Sequence, residues 1–112
     1  YKGASHDPTV VTPAGALAAA TVNGMRSQGR MDSGFVRQGM KADLIVLDVD
    51  QPRMVPVNDW TTNLVYSAQG SDVCLTMVDG RVLYRDGEYP TIDIEKVMYE
   101  TQRATDDIRA QL

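Results

Sequence analysis

At 112 residues with a formal net charge of −4, the chain has room for one modest core, or a piece of one, and not for an enzyme barrel with a lid. Its Lys and Arg residues are scattered singly, unlike the clustered basic footprint that displaces phosphate counterions from nucleic acid, so no nucleic-acid partner is expected. Cys74 is the single cysteine, and no apolar run approaches the roughly 20 residues of a membrane-spanning helix. An intrachain disulfide and a CxxC metal or redox site are excluded, no membrane partner is expected, and a soluble, cytoplasmic protein is.

The lead through residue 11 holds Gly3, Ser5, Asp7 and Pro8 without an apolar period, the composition of turns. It opens on Tyr1 and reads as a cut end. His6, the only histidine, has no orienting partner and no companion ligands at helix or strand spacing, so it reads as an exposed loop residue. Thr12-Pro13 is a helix start: the hydroxyl can accept from orphan N–H groups, and proline at the first helical position forfeits no hydrogen bond. The helix is predicted to run from Ala14 to Arg26. Its small residues Ala16, Ala20 and Gly24 fall four apart, which fits either close approach to a neighbour or, at Gly24, a weak point in the helix. Gly29 suits a left-handed cap, and Gly34-Phe35-Val36-Arg37 is predicted to be a short edge strand.

Leu44 to Val49 is apolar up to Asp48, where a half-exposed strand would alternate; a strand buried on both faces is predicted. Asp43 and Asp48 are five positions apart, so an extended strand points them to opposite faces, and they are strand-end residues and not a catalytic pair. Residues 50–63 read as a long loop that carries Trp60, either a local anchor or part of an interface, with the anchor preferred. A short helical turn is expected within Asn63 to Ala68. Val73 to Val78 and Arg81 to Arg85 are joined by Asp79-Gly80, the pair that best tolerates a type I′ turn. With Val78 opposite Arg81, Val73, Leu75, Met77, Val82 and Tyr84 would share the core face. Cys74 would then lie on the other face opposite Arg85, as a plain strand cysteine lacking the base a nucleophile needs. Asp86-Gly87 breaks the strand, and Thr91 or Asp93 caps a last helix through about Gln111. Its apolar or small stripe is Ile94, Val97, Met98, Thr101, Ala104, Thr105, Ile108 and Leu112.

No HxH, HExxH, GxSxG, GxGxxG or P-loop pattern is present, so the residues nominate no catalytic, cofactor-binding or metal-binding position. Three or four strands and two helices also leave a doubly buried strand without cover on each side. Thr12-Pro13 with Ala16-Leu17, Ala20-Thr21-Val22-Asn23-Gly24, Gly34, and Gly39-Met40-Lys41-Ala42-Asp43-Leu44-Ile45-Val46-Leu47-Asp48 resemble the C-terminal region of the amidohydrolase superfamily. The subgroup most similar in appearance is that of the cytosine, guanine and S-adenosylhomocysteine deaminases and the triazine chlorohydrolases. Pro56, Asn63-Leu64-Val65-Tyr66, Gly70-Ser71-Asp72-Val73, Val78-Asp79-Gly80-Arg81-Val82 and Asp93 continue the resemblance in the same order. Gln28, where an apolar residue is usual, and the loose Phe35-Val36-Arg37-Gln38 segment depart from it.

The resemblance implies an α+β fragment. Residues 1–30 would end a (β/α)8 barrel with its last helix, 31–90 would supply the C-terminal part of a small β-sandwich including the hairpin, and 91–112 would form an amphipathic helix returning to the barrel. It implies a metal-dependent hydrolase whose zinc or iron ligands all lie upstream, so this chain holds no cofactor and has no catalytic role. The partners implied are the remainder of the parent enzyme, its barrel and N-terminal strands. The residues themselves leave open a second class, a non-enzymatic interaction or assembly module that pairs through its apolar sheet and helix faces, as in a homo-oligomer.

Overall fold

A computed structural model describes residues 2–7 and 9–111. Tyr1, the Pro8 turn signal and the Leu112 end of the apolar stripe lie outside the described residues. The lead contains one helical turn, α1 (Lys2–Ser5), not foreseen from its turn-rich composition, and His6 follows it exposed, at φ 52°.

The first long helix is interrupted. α2 (Pro13–Ala18) passes into a π turn (Ala19–Asn23) and then α3 (Gly24–Ser27). Thr12 caps it as expected, its hydroxyl accepting from the Gly15 N–H at 3.1 Å. At the other end the Gly29 N–H donates to the Arg26 carbonyl at 2.9 Å and the Arg30 N–H to the Met25 carbonyl at 3.0 Å. That pair of bonds, with Gly29 at φ 74°, is a Schellman cap. The π turn breaks the four-residue ridge: Ala16 and Gly24 are half-buried while Ala20 is exposed.

No strand forms at Gly34–Arg37, contrary to the sequence-based expectation. Gly34 adopts φ 95°, a value closed to side-chain-bearing residues in an extended strand, because it seats against the π turn. A β-carbon there would lie 2.9 Å from Val22 Cα. The chain then turns and enters β1 (Leu44–Leu47).

Three strands form one antiparallel sheet in the order β1-β2-β3, with β2 (Val73–Val78) central and β3 (Arg81–Arg85) on the far edge. The Asp79-Gly80 turn has φ 49° and 79°, and Val78 faces Arg81 as the two-residue loop requires. Beyond Met77 a β-bulge intervenes and leaves Leu83 as the extra residue, so Tyr84 pairs with Thr76 and Arg85 with Leu75. The simple alternation that put Tyr84 opposite Leu75 and Arg85 opposite Cys74 is corrected by that residue. A second bulge, between Val46 and Leu47, leaves Cys74 unpaired toward β1, where its thiol lies 3.4 Å from the Val46 carbonyl.

β1 is not buried on both faces within this chain. Ile45 is 54% exposed and Val46 45%, and they point to opposite faces of an uncovered sheet. The strand ends at Leu47, and the carboxylate of Asp48, the next residue, accepts from the Asp50 N–H and the Gln51 amide, each at 3.0 Å. Residues 50–63 contain more structure than a loop. A 3₁₀ turn (Pro52–Met54) precedes a cis Val55–Pro56 peptide, and α4 (Trp60–Tyr66) starts three residues ahead of the predicted helical turn. It begins there because Asp59 caps it, its carboxylate accepting from the Thr62 N–H at 2.7 Å and the Thr62 hydroxyl at 2.6 Å. Trp60 is its first residue and stands 55% exposed. α5 (Ile94–Arg109), capped by Asp93, is exposed along its whole length.

Candidate functional site

Two polar clusters join the helices to the sheet. The first centres on Asp43, the residue before β1. Its Oδ2 accepts from Arg30 Nη2 at 2.6 Å and from the Ser33 hydroxyl at 3.3 Å, while its Oδ1 accepts from the Asp79 N–H at 2.7 Å. Arg30 Nη2 also donates to Ser33 Oγ at 3.1 Å, and Ser33 is buried. The Asp79 N–H, helped by the Arg30 and Ser33 donors, holds the Asp43 carboxyl below the ordinary aspartate range. One carboxylate therefore ties the helix exit at Arg30 to the hairpin turn, 13 and 36 positions away in sequence.

The second cluster centres on Asp72, whose side chain is 2% exposed. It pairs with the Arg53 guanidinium through both oxygens and accepts from the Gln69 N–H at 2.8 Å. The Asp72 carbonyl in turn accepts from the Asp48 N–H at 2.7 Å, fastening the end of β1 to the start of β2. Beside it the buried Asn63 of α4 donates its amide to the Met54 carbonyl at 2.6 Å and the Pro56 carbonyl at 3.3 Å. Met54 is the one buried apolar residue among those described. The two central carboxylates, Asp43 and Asp72, are thus each engaged by a backbone N–H and a guanidinium.

An open apolar groove is lined by Leu17, Ala18, Val22, Phe35, Val36 and Thr61 among others. Val36 is 91% exposed at its rim.

The structure thus places Asp43 and Asp48 as strand-end residues and keeps them apart in separate hydrogen-bond groups, in line with their spacing. His6 and Cys74 join neither cluster. Arg30, Ser33 and Arg53 carry no signal in the sequence reading, and Asn63 and Asp72 enter it only within runs that carry the resemblance, with no role of their own. Only Asn63, a lone amide beside Leu64-Val65, carries a local hint of a buried polar role.

The amidohydrolase family model matches residues 2–83. The chain belongs to the amidohydrolase family. It is 45% identical over 103 residues to a 5-methylthioadenosine/S-adenosylhomocysteine deaminase of Dictyoglomus thermophilum, a match covering 92% of this chain and 24% of that enzyme. It is 38% identical, over its full length and 26% of the relative, to a 5′-deoxyadenosine deaminase of Methanosarcina mazei. Among solved structures, an adenosine deaminase from Xanthomonas campestris with bound zinc superposes with a TM-score of 0.90 at 26% identity, over 97% of this chain and 25% of that one. The zinc complex of the atrazine chlorohydrolase of Arthrobacter aurescens does so with a TM-score of 0.75 at 25% identity, over 83% of this chain and 20% of that one.

This amidohydrolase chain therefore spans about a quarter of the length of the curated relatives it matches. Among the described residues no three His, Cys, Asp or Glu side chains come together to hold a metal ion. No helix of the described residues is long and apolar enough to cross a membrane.

Proposed function

We propose that these residues are the C-terminal, non-catalytic portion of a metal-dependent amidohydrolase that deaminates an adenosine-type nucleoside, and that their task is to complete its scaffold. In this reading 1–30 close the barrel wall, 31–90 supply part of a small β-sandwich, and 91–112 return to the barrel. Metal and catalytic groups come from outside the 112 residues, and the sheet is completed by strands from elsewhere in the parent. Nucleoside deamination is preferred over dechlorination because the deaminase relatives share 45% and 38% of positions and the chlorohydrolase 25%.

The observation that carries the scaffold role is the amount of surface left bare. A self-contained protein of 12.3 kDa exposes about 6,100 Å², whereas this chain exposes 8763 Å². Its radius of gyration is 18.8 Å, against about 13 Å for a compact domain of this length. The excess, roughly 2,700 Å², is the share one partner contributes to a large obligate interface. Ile45, Val46, Phe35, Val36 and the apolar stripe of α5 contribute to it.

The decisive experiment replaces the matching quarter of the Dictyoglomus enzyme with this chain and follows ammonia release from methylthioadenosine. The chimera is expected to retain activity, and the 112 residues alone to release none. Ammonia release by the chain alone, or a chimera that fails while the free chain forms a defined oligomer, would overturn the proposal; the second outcome would favour the assembly-module reading.

A further inference from the structure

We infer that Asp43 is a two-sided electrostatic latch between the helical layer (α2 to α3 with its exit at Arg30) and the sheet (β1 to β3), whose loss of charge frees the helix exit from the hairpin turn while each layer keeps its internal hydrogen bonds. The two oxygens serve different layers. Oδ2 takes the Arg30 and Ser33 donors at the helix exit, and Oδ1 takes the Asp79 N–H at the hairpin turn. Ser33, not a hydrophobic residue, is what is buried at this junction, and Met54, the one buried apolar side chain among the described residues, belongs to the other cluster. The layers are internally complete without the latch, since the helix exit has its own Schellman cap and the strands their own ladder.

The charges facing the latch are few. Arg30 comes from the helix exit, and Asp32, whose carboxylate lies 3.4 Å from the Ser33 hydroxyl, from the segment after it. Lys41 precedes β1 and lies 3.8 Å from the Asp79 carboxylate on the turn. When Asp43 takes up a proton, the Asp79 N–H loses a charged acceptor and Arg30 is left facing a neutral acid. Two backbone ties remain at the latch, the Lys41 N–H to the Asp32 carbonyl at 2.8 Å and the Gly80 N–H to the Ala42 carbonyl at 3.1 Å, and away from it the Arg53–Asp72 pair still holds the start of β2. The backbone ties lie within the segments next to the latch and the second cluster is untouched, so release frees the helix exit locally and does not unfold the strands.

The Asp79 amide is a built-in reporter. In 15N-labelled protein its chemical shift is expected to titrate with a midpoint below that of an ordinary aspartate, and the amides of Met25 and Arg26 to follow the same midpoint. R30Q should move that midpoint upward. D43A should speed exchange of the Asp79 amide by about tenfold, the loss expected for a charge-assisted hydrogen bond, with amides paired inside β2 and β3 unchanged. A pH-independent Asp79 shift, the same midpoint in R30Q, or D43A exchange that accelerates equally throughout the sheet would each overturn the latch. Should D43A not fold, the wild-type titration and its response in S33A decide the matter alone.

Discussion

Gly34→Ala probes the contact between the loop and the π turn, and its cost divides into two separable parts. The first is conformational. Gly34 sits at φ 95°, where a β-carbon costs about 1–2 kcal/mol. The second is steric: the new β-carbon would stand 2.9 Å from Val22 Cα, 3.2 Å from Val22 N and 3.3 Å from Thr21 C. All three are backbone atoms of one helical turn, so no side chain can swing away, and overpacking of this kind adds about 1–3 kcal/mol. The expected total is about 2–5 kcal/mol. Gly29 supplies the matched control, because it has φ 74° but nothing within 4 Å of its would-be β-carbon; Gly29→Ala should cost only the conformational part. Urea unfolding of both variants reads the difference. With a slope of about 2 kcal/mol per molar, a loss of 3 kcal/mol lowers the midpoint by about 1.5 M. Equal midpoints for the two variants would show that the loop does not press on the π turn and would refute the reasoning.

Asn63→Ala removes the amide that satisfies the Met54 and Pro56 carbonyls and should cost about 1–3 kcal/mol by denaturant unfolding, the penalty for orphaning buried acceptors. Asp72→Ala strands Arg53 and the Gln69 N–H; the loss should be about 2–3 kcal/mol, below that of a fully buried pair because Arg53 is partly exposed. The carboxyls of Asp43, Asp59 and Asp7 are all held low, by the Asp79 N–H, the Thr62 hydroxyl and the Thr9 hydroxyl respectively. A carboxyl with a lowered folded pKa stabilises the fold fully above its unfolded value and loses that contribution as pH falls through the folded one. The unfolding midpoint should therefore be flat above about pH 5 and fall below about pH 4, and Asp43→Asn should flatten that acid limb.

The elements legible in the sequence are those whose signal is local. Thr12-Pro13, Gly29, Asp79-Gly80 and Asp93 each satisfy or bend backbone within a few residues of themselves, and each does so in the structure as read. Asp59 carries the same kind of signal for α4, but Trp60-Thr61-Thr62 favours extended structure by propensity and masks it. The π turn, the two bulges and the conformation of Gly34 depend on residues that meet from different segments, and hydrophobic periodicity is blind to them. The polar clusters show this most clearly. Asp43 and Asp48 drew notice as neighbours in sequence, whereas the partners that give Asp43 its role are Arg30, Ser33 and Asp79. The doubly apolar β1 was legible as a pattern, yet Ile45 and Val46 stand exposed.

That bare surface allows the scaffold reading to be tested at α5. The helix has 16 residues, about the length at which an isolated helix is only marginal in water, and its Val97, Met98 and Ile108 are 45%, 66% and 61% exposed. A residue already in water loses little when made polar, so Met98→Asp or Ile108→Glu should change the unfolding midpoint of the 112-residue chain by no more than about 0.5 kcal/mol equivalent. In the chimeric deaminase the same stripe would lie against the barrel, and each charge would then enter an apolar contact unpaired, at several kcal/mol. Activity and thermal stability of the chimera should fall sharply for both variants while Glu95→Lys, off the apolar stripe, leaves them unchanged. Equal tolerance in chain and chimera would mean that α5 covers nothing in the enzyme and that its apolar stripe serves another partner.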